Sequence, residues 1–273
     1  MSRDNRIDNA FAELSADGRK GLLPYVTAGY PDLTTTADLL TRFHQLGVTA
    51  VELGIPYSDS IADGPVIQTS FTRALGSGLR IGQVFDMVRR LREQIDLPIL
   101  SMLSFSIVHR VGVDAYIEQA KAAGIDGMII PDLSLEEAPQ IARRAEAAGL
   151  RLAMLVAPTT PDERRGRIAE LSSGFVYYMS VSGITGERDQ LPGALIANVA
   201  ELRQRSGKPV CVGFGISTPA HVRSVCRAAD GAIVGSAIVR RITQGVDAGL
   251  ERDAIVQSVA TFVGELLEGL KPA

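Results

Sequence analysis

Tryptophan is absent, and the 273 residues include two cysteines, three histidines and four lysines. Each scarcity closes a route. Two thiols, Cys211 and Cys226, are too few to frame a disulfide-stapled secreted scaffold. One falls in an apolar β-prone run and the other in a helical stretch, where small buried side chains are the ordinary reading. His44, His109 and His221 are scattered, with no Cys or carboxylate at metal-ligand spacing, so no metal site is expected. Lys20, Lys121, Lys208 and Lys271 all lie away from the ends of β-prone runs, which leaves a Schiff-base mechanism without a nucleophile. A surplus of one charge is also lacking. Lys plus Arg is 28 and Asp plus Glu is 31, a net charge of −3 that argues against nucleic-acid or anionic-membrane partners. No apolar stretch approaches the roughly 18 residues of a membrane span, and residues 1–6 carry no apolar signal core. A cytoplasmic protein is the expectation.

The composition that remains is globular: 46% apolar, 22% charged, with 27 Gly and 13 Pro. A chain of this length buries roughly three-quarters of its unfolded surface, enough for a large core. Its pattern is an alternation. Apolar β-prone runs cover residues 22–27, 50–54, 99–105, 127–130, 152–156, 175–180, 210–214 and 232–235. Helix-period segments cover 34–46, 81–94, 113–123, 135–148, 162–171, 194–205, 219–228 and 252–270. Ahead of the first run, Ile7, Phe11 and Leu14 share one face of an extra amphipathic helix. Thr218-Pro219 supplies a hydroxyl N-cap with Pro at the first helical position, and Gly47, Gly124 and Gly149 sit where helices should end. Eight strand–helix units in about 250 residues predict an α/β fold, a (β/α)8 TIM barrel preceded by one helix. No linker divides the chain, so residues 1–273 read as a single domain. A doubly wound open sheet is the alternative, but Thr27-Ala28-Gly29-Tyr30 lacks the GxGxxG turn that often follows its first strand.

In a barrel the chemistry sits at the C-terminal ends of the strands. Glu52 interrupts an apolar strand between Val51 and Leu53, so it faces the side opposite its neighbours. Buried there, it would hold its proton at raised pH and could shuttle one. A rim carboxylate paired with an arginine fits the pattern equally well. Asp63 lies in the long Gly/Pro-punctuated loop that follows, either as an Asx-turn former before Gly64 or as a second functional carboxylate. Glycines at Gly213, Gly215 and Gly235, with Ser236, end the seventh and eighth strands, where backbone amides and a helix N-terminus can receive a phosphate. A third Gly-rich loop, Ser182-Gly183-Ile184-Thr185-Gly186, could close over the ligand. Without a metal or covalent attachment, the residues point to a phosphorylated substrate handled by carboxylates.

These segments together, with Tyr25-Val26-Thr27-Ala28-Gly29-Tyr30-Pro31, Glu52-Leu53-Gly54-Ile55-Pro56-Tyr57-Ser58-Asp59, Ala62-Asp63-Gly64-Pro65, Ile129-Ile130-Pro131-Asp132-Leu133, Val212-Gly213-Phe214-Gly215-Ile216-Ser217 and Gly235-Ser236-Ala237-Ile238-Val239, resemble the tryptophan synthase alpha chain family over essentially the whole length. The resemblance implies retro-aldol cleavage of indole-3-glycerol phosphate to indole and glyceraldehyde 3-phosphate. It matches Glu52 to the family's general acid–base and Asp63 to the carboxylate that holds the indole N–H. Tyr177 matches the tyrosine near the glycerol chain and Thr185 the loop threonine that meets the aspartate. Gly186, Gly213, Phe214, Gly215, Gly235 and Ser236 fall on its phosphate site. The resemblance further implies an alpha2beta2 tetramer with a beta chain that takes the indole, with pyridoxal phosphate confined to that partner. A stand-alone indole-releasing lyase and a weakly catalytic activator of a beta chain are the alternatives. Three departures stand out: the stretch Leu103-Ser104-Phe105-Ser106-Ile107, Ser60 and Val181. The first two are expected where the family meets its beta partner.

Overall fold

The computed structural model describes residues 5–60, 63–179, 193–213 and 215–271. The nine strand segments among these residues belong to one parallel sheet, in the order β5-β4-β3-β2-β1-β9-β8-β7-β6. They are β1 (Gly21–Thr27), β2 (Val51–Gly54), β3 (Ile99–Met102), β4 (Gly127–Ile129), β5 (Arg151–Ala153), β6 (Leu155–Val156), β7 (Val176–Met179), β8 (Val210–Gly213) and β9 (Gly231–Val234). The two ends of that order, β5 and β6, are halves of one stretch separated by Met154. The first half pairs with β4 and the second with β7. The sheet therefore comes round on itself as an eight-staved barrel, as the alternation predicts. At the break, the Met154 amide bonds the Ser172 hydroxyl instead of a neighbouring strand.

Among the described residues, twelve helices accompany the strands. The first, α1 (Arg6–Ala16), is the extra N-terminal helix, capped by Asn5, whose side chain accepts from the Ile7 amide. The Asn5 amide group also donates to the Asp126 and Gly149 carbonyls at 2.8 Å, fastening α1 across the barrel's N-terminal end. Ile7, Phe11 and Leu14 then pack on the inward side chains Leu23, Leu100, Ile129, Phe175 and Cys211. An outer apolar shell lies between strands and helices, formed by alternate residues such as Val26, Val51, Leu53 and Val212. Period-2 alternation separates these two cores.

Three helices escape the periodic pattern. The run at 99–105 predicts a strand to residue 105, yet β3 stops at Met102 and α5 (Phe105–Val111) begins at once. Asp132, far along the chain, accepts from the Ser104 hydroxyl at 2.6 Å and the Phe105 amide at 2.7 Å, which turns the chain out of the sheet. Helix α3 (Pro65–Gly76) occupies ground expected as loop, with Pro65 in its first turn and Ile67, Ser70, Phe71 and Ala74 buried. Helix α11 (Ser236–Asp247) follows β9 directly and buries Ile238, Val239 and Ile242. No helix among the described residues is long and apolar enough to cross a membrane.

Candidate active site

Glu52 is the second residue of β2, registered beside Tyr25 of β1 and Leu100 of β3. Its side chain points into the barrel and is 1% exposed. Among the described residues no cation pairs with it, and its Oε1 has no hydrogen-bond partner. The ion-paired rim carboxylate is thereby replaced by an unpaired interior one. Burial raises its carboxyl well above the usual carboxylate range. An acid held this way keeps its proton until a substrate supplies a partner.

Asp63 sits at the end of the loop after β2, with its amide bonded to the Ser60 carbonyl at 3.2 Å. That carbonyl also accepts from Gln68 Nε2 of α3 at 2.9 Å. The Asp63 carboxylate is half-buried and accepts from the Tyr57 hydroxyl across a long 3.3 Å contact. Burial raises its pKa, and the Tyr57 bond works against that rise. Tyr57 is held in turn by Phe71, the ring centroids 5.3 Å apart. Burial and the adjacent Asp63 charge push the Tyr57 hydroxyl up as well.

Two buried tyrosines complete the interior. Tyr25 from β1 and Tyr177 from β7 line the same cavity as both carboxylates. Each has its ionisation opposed first by burial and then by the nearby carboxylate charges. Glycine makes room for both. A Cβ at Gly54 would overlap the Tyr25 hydroxyl, and one at Gly213 would overlap the Tyr177 hydroxyl. Gly213 thus backs Tyr177 directly, a packing reason for its lack of a side chain.

The cavity measures about 460 Å³ and opens at the strands' C-terminal ends. Glu52, Asp63 and Tyr177 line one part of it, and Gly215, Gly235 and Ser236 line another. Met102, Ile67, Ile216 and Ile233 supply apolar wall between them, suited to a flat apolar ring. Gly215 adopts φ +73°, a left-handed turn that a side chain would strain. Gly235 is the N-cap of α11 and offers no side-chain cap. The Ile238 and Val239 amides turn back onto the Gly235 carbonyl, which leaves those of Ser236 and Ala237 to an incoming anion. Thr185, Gly186 and Phe214 lie outside the described residues, as does Val181.

A second cavity, also about 460 Å³, lies at the opposite end of the barrel near Lys20, Arg203, Lys208 and Asp230. Its charges already satisfy one another. Lys20 and Arg203 share Asp230 at 3.1 and 2.9 Å. Lys208 Nζ donates to the Ala169, Glu170 and Ser172 carbonyls at the end of α8 (Asp162–Leu171). That cavity holds structural pairs, not poised groups.

The sequence-based assignment missed Tyr25, Tyr57 and Arg240 as site residues. The signal for Arg240 was available: it lies one turn into the helix that opens at Gly235. Tyr57 needed the loop's folded path, which periodicity does not give. The departing serines also look different in three dimensions. Ser60 and Ser104 are each 5% exposed, so their hydroxyls do not present a partner surface, whereas Ser106 is exposed.

Comparison with known proteins places the geometry. A family model described as the tryptophan synthase alpha chain matches residues 11–270. The alpha chain of Rhodopirellula baltica is 43% identical over 271 residues, covering 98% of each chain. That of Prochlorococcus marinus is 44% identical over 95% of this chain and 93% of its own. A crystal structure of the alpha chain from Legionella pneumophila superposes with a TM-score of 0.87 at 33% identity, covering 97% of both chains. A structure from Pyrococcus furiosus, described as bearing on mutual activation of the tryptophan synthase a2b2 complex, gives 0.84 at 36% identity, over 91% of this chain and 98% of that one.

Proposed function

The chain belongs to the tryptophan synthase alpha chain family, whose reaction is the lyase cleavage of indole-3-glycerol phosphate, and from that premise we propose that Glu52 and Asp63 divide the chemistry between them. The observation that carries this reading is the placement of Glu52. It is a buried, unpaired carboxyl in one cavity with Asp63 and the open N-terminus of α11.

The reaction is a retro-aldol. Glu52, protonated in its buried setting, delivers a proton to indole C3, and the ring becomes an iminium-like electron sink. A base then takes the proton of the adjacent glycerol hydroxyl. Its electron pair forms the aldehyde C=O, the carbon–carbon bond breaks, and those electrons restore the neutral indole. Once it has given up its proton, the Glu52 carboxylate is itself the base at hand, so one residue serves both transfers. Asp63 accepts the indole N–H and offsets the positive charge that grows on the ring. Tyr177 shapes the space around the glycerol chain. Gly215, Gly235 and Ser236 receive the phosphate, the helix dipole of α11 adding a favourable field. Thr185, Gly186 and Phe214 belong to the same proposal through the family resemblance.

The indole product goes on to a beta chain in an alpha2beta2 assembly. Pyridoxal phosphate belongs to that partner, and the alpha reaction as written uses no cofactor. We also read residues 1–273 as one barrel domain working in the cytosol. The deciding assay is indole release from indole-3-glycerol phosphate by the full chain, with and without a tryptophan synthase beta chain. Release that depends on the phosphorylated substrate supports the reading; none under either condition refutes it.

A further inference from the structure

A cavity that admits a phosphate ester must take up to two new negative charges beside Glu52 and Asp63. Among the described residues lining it, one is cationic: Arg240. It stands on α11 four residues after Ser236, so the two share one helix face, with Gly235 at the cap. Arg240 is exposed, and among the described residues it makes no hydrogen bond or ion pair. Its neighbour Arg241 is differently placed, with its guanidinium 4.5 Å from the Phe262 ring centroid and 3.5 Å from the Ser258 hydroxyl. Two adjacent arginines thus have separate duties. One packs against the last helix, and the other stays unengaged at the cavity mouth.

We propose that Arg240 is a specificity-determining residue, supplying the full positive charge that selects a phosphate ester over its uncharged counterpart. The proposal rests on the reading of the α11 N-terminus as the phosphate site. The amides of Ser236 and Ala237 are fixed dipoles and set where the phosphate oxygens go. A guanidinium on a long, exposed stem adds charge without fixed geometry. It acts on the approaching anion over about a Debye length, ~8 Å at physiological salt, so its contribution lies in capture rather than in the bond-breaking step. It also offsets the repulsion from the Asp63 carboxylate, and from Glu52 once that acid has given up its proton.

The test uses Arg240→Gln and Arg240→Lys in the full chain, saturated with a tryptophan synthase beta chain. For Arg240→Gln, KM for indole-3-glycerol phosphate should rise about tenfold, the size of one charge-assisted contact, with kcat within about twofold. Glycerol 3-phosphate binding should weaken by the same factor and lose most of its salt dependence. Arg240→Lys should recover most of both effects, and neither variant should shift the ligand-free melting temperature. If the wild type fails to bind glycerol 3-phosphate, the phosphate reading of α11 falls and this proposal with it. If the wild type binds and Arg240→Gln binds equally well at low salt, the assignment of Arg240 alone is overturned.

Discussion

Glu52 carries opposite consequences for catalysis and for stability. As the proposed proton shuttle it should be indispensable, so Glu52→Gln should cut indole release by about 10²–10⁴-fold while glycerol phosphate still binds. Near-normal turnover in a folded Gln variant would remove Glu52 from the mechanism. As a buried acid with an unpartnered oxygen, it should cost stability whenever it must ionise. The sign follows from its raised pKa. The folded state holds the proton more tightly than the unfolded chain does. Stability from this group is therefore full below the unfolded value, near 4.3, and is lost as pH rises toward the folded pKa. Glu52→Gln has no such loss. Urea unfolding of both proteins at pH 5 and pH 8 should show the variant gaining on the wild type as pH rises. A difference that is the same at both pH values would contradict the raised pKa.

At the scale of an element, the strand-end glycines fall into two kinds. Gly213 and Gly54 are filled from inside by tyrosine hydroxyls, so Gly213→Ala should displace Tyr177 and cost about 1–3 kcal/mol of stability. Gly235 is different. A Cβ there would meet Tyr25 at an ordinary 3.5 Å, and its φ of −113° suits any residue. Gly235→Ala should therefore fold normally, and Gly235→Val should put its extra methyls where the phosphate is to approach. Thermal melts with millimolar glycerol 3-phosphate decide this. The ligand should raise the wild-type midpoint, raise the Ala variant's less and leave the Val variant unchanged. A wild-type midpoint indifferent to the ligand would remove the α11 N-terminus as an anion site.

For the whole molecule, α1 closes one end of the barrel and the cavity with Glu52 and Asp63, the proposed site of the chemistry, lies at the other. Phe11 is 4% exposed and its ring lies 5.6 Å from that of Phe175, so Phe11→Ala should cost about 3–5 kcal/mol. Denaturant unfolding would register that loss, and a cost under about 1 kcal/mol would show the plug to be dispensable. The catalytic end is held less firmly. Asp63 is fixed by contacts of 3.2 and 3.3 Å, both at the long end for their kind. A beta chain that favours the closed arrangement by about 2.7 kcal/mol would raise the rate a hundredfold. Indole release should accordingly be weak alone and strong with the cognate partner. A beta chain from a distant relative should activate weakly, because the α5 segment shows Ser106 and part of Phe105 at the surface. Equal activation by both would free that segment of any role in partner choice.

Alternation of apolar runs and helical periods sufficed for the barrel, because a parallel strand cannot return without a crossover and eight crossovers leave little choice of architecture. That Glu52 faces the side opposite Val51 and Leu53 was legible for the same reason, since side chains alternate along a strand; that this side is the barrel interior was not. Interactions between distant residues were not legible. Asp132 ends β3 early and starts α5, Tyr57 meets Asp63 only through the path of the loop, and Gly213 is small because Tyr177 crosses over it. Ser60 and Ser104, polar and near a loop tip in sequence, are buried because the chain folds its carbonyls and hydroxyls onto partners in α3 and at Asp132. Periodicity records what each residue does to its neighbours along the chain, and it determined the scaffold and the strand ends. Which side chains face one another across the barrel mouth depends on register and loop path, and only the tertiary structure decided it.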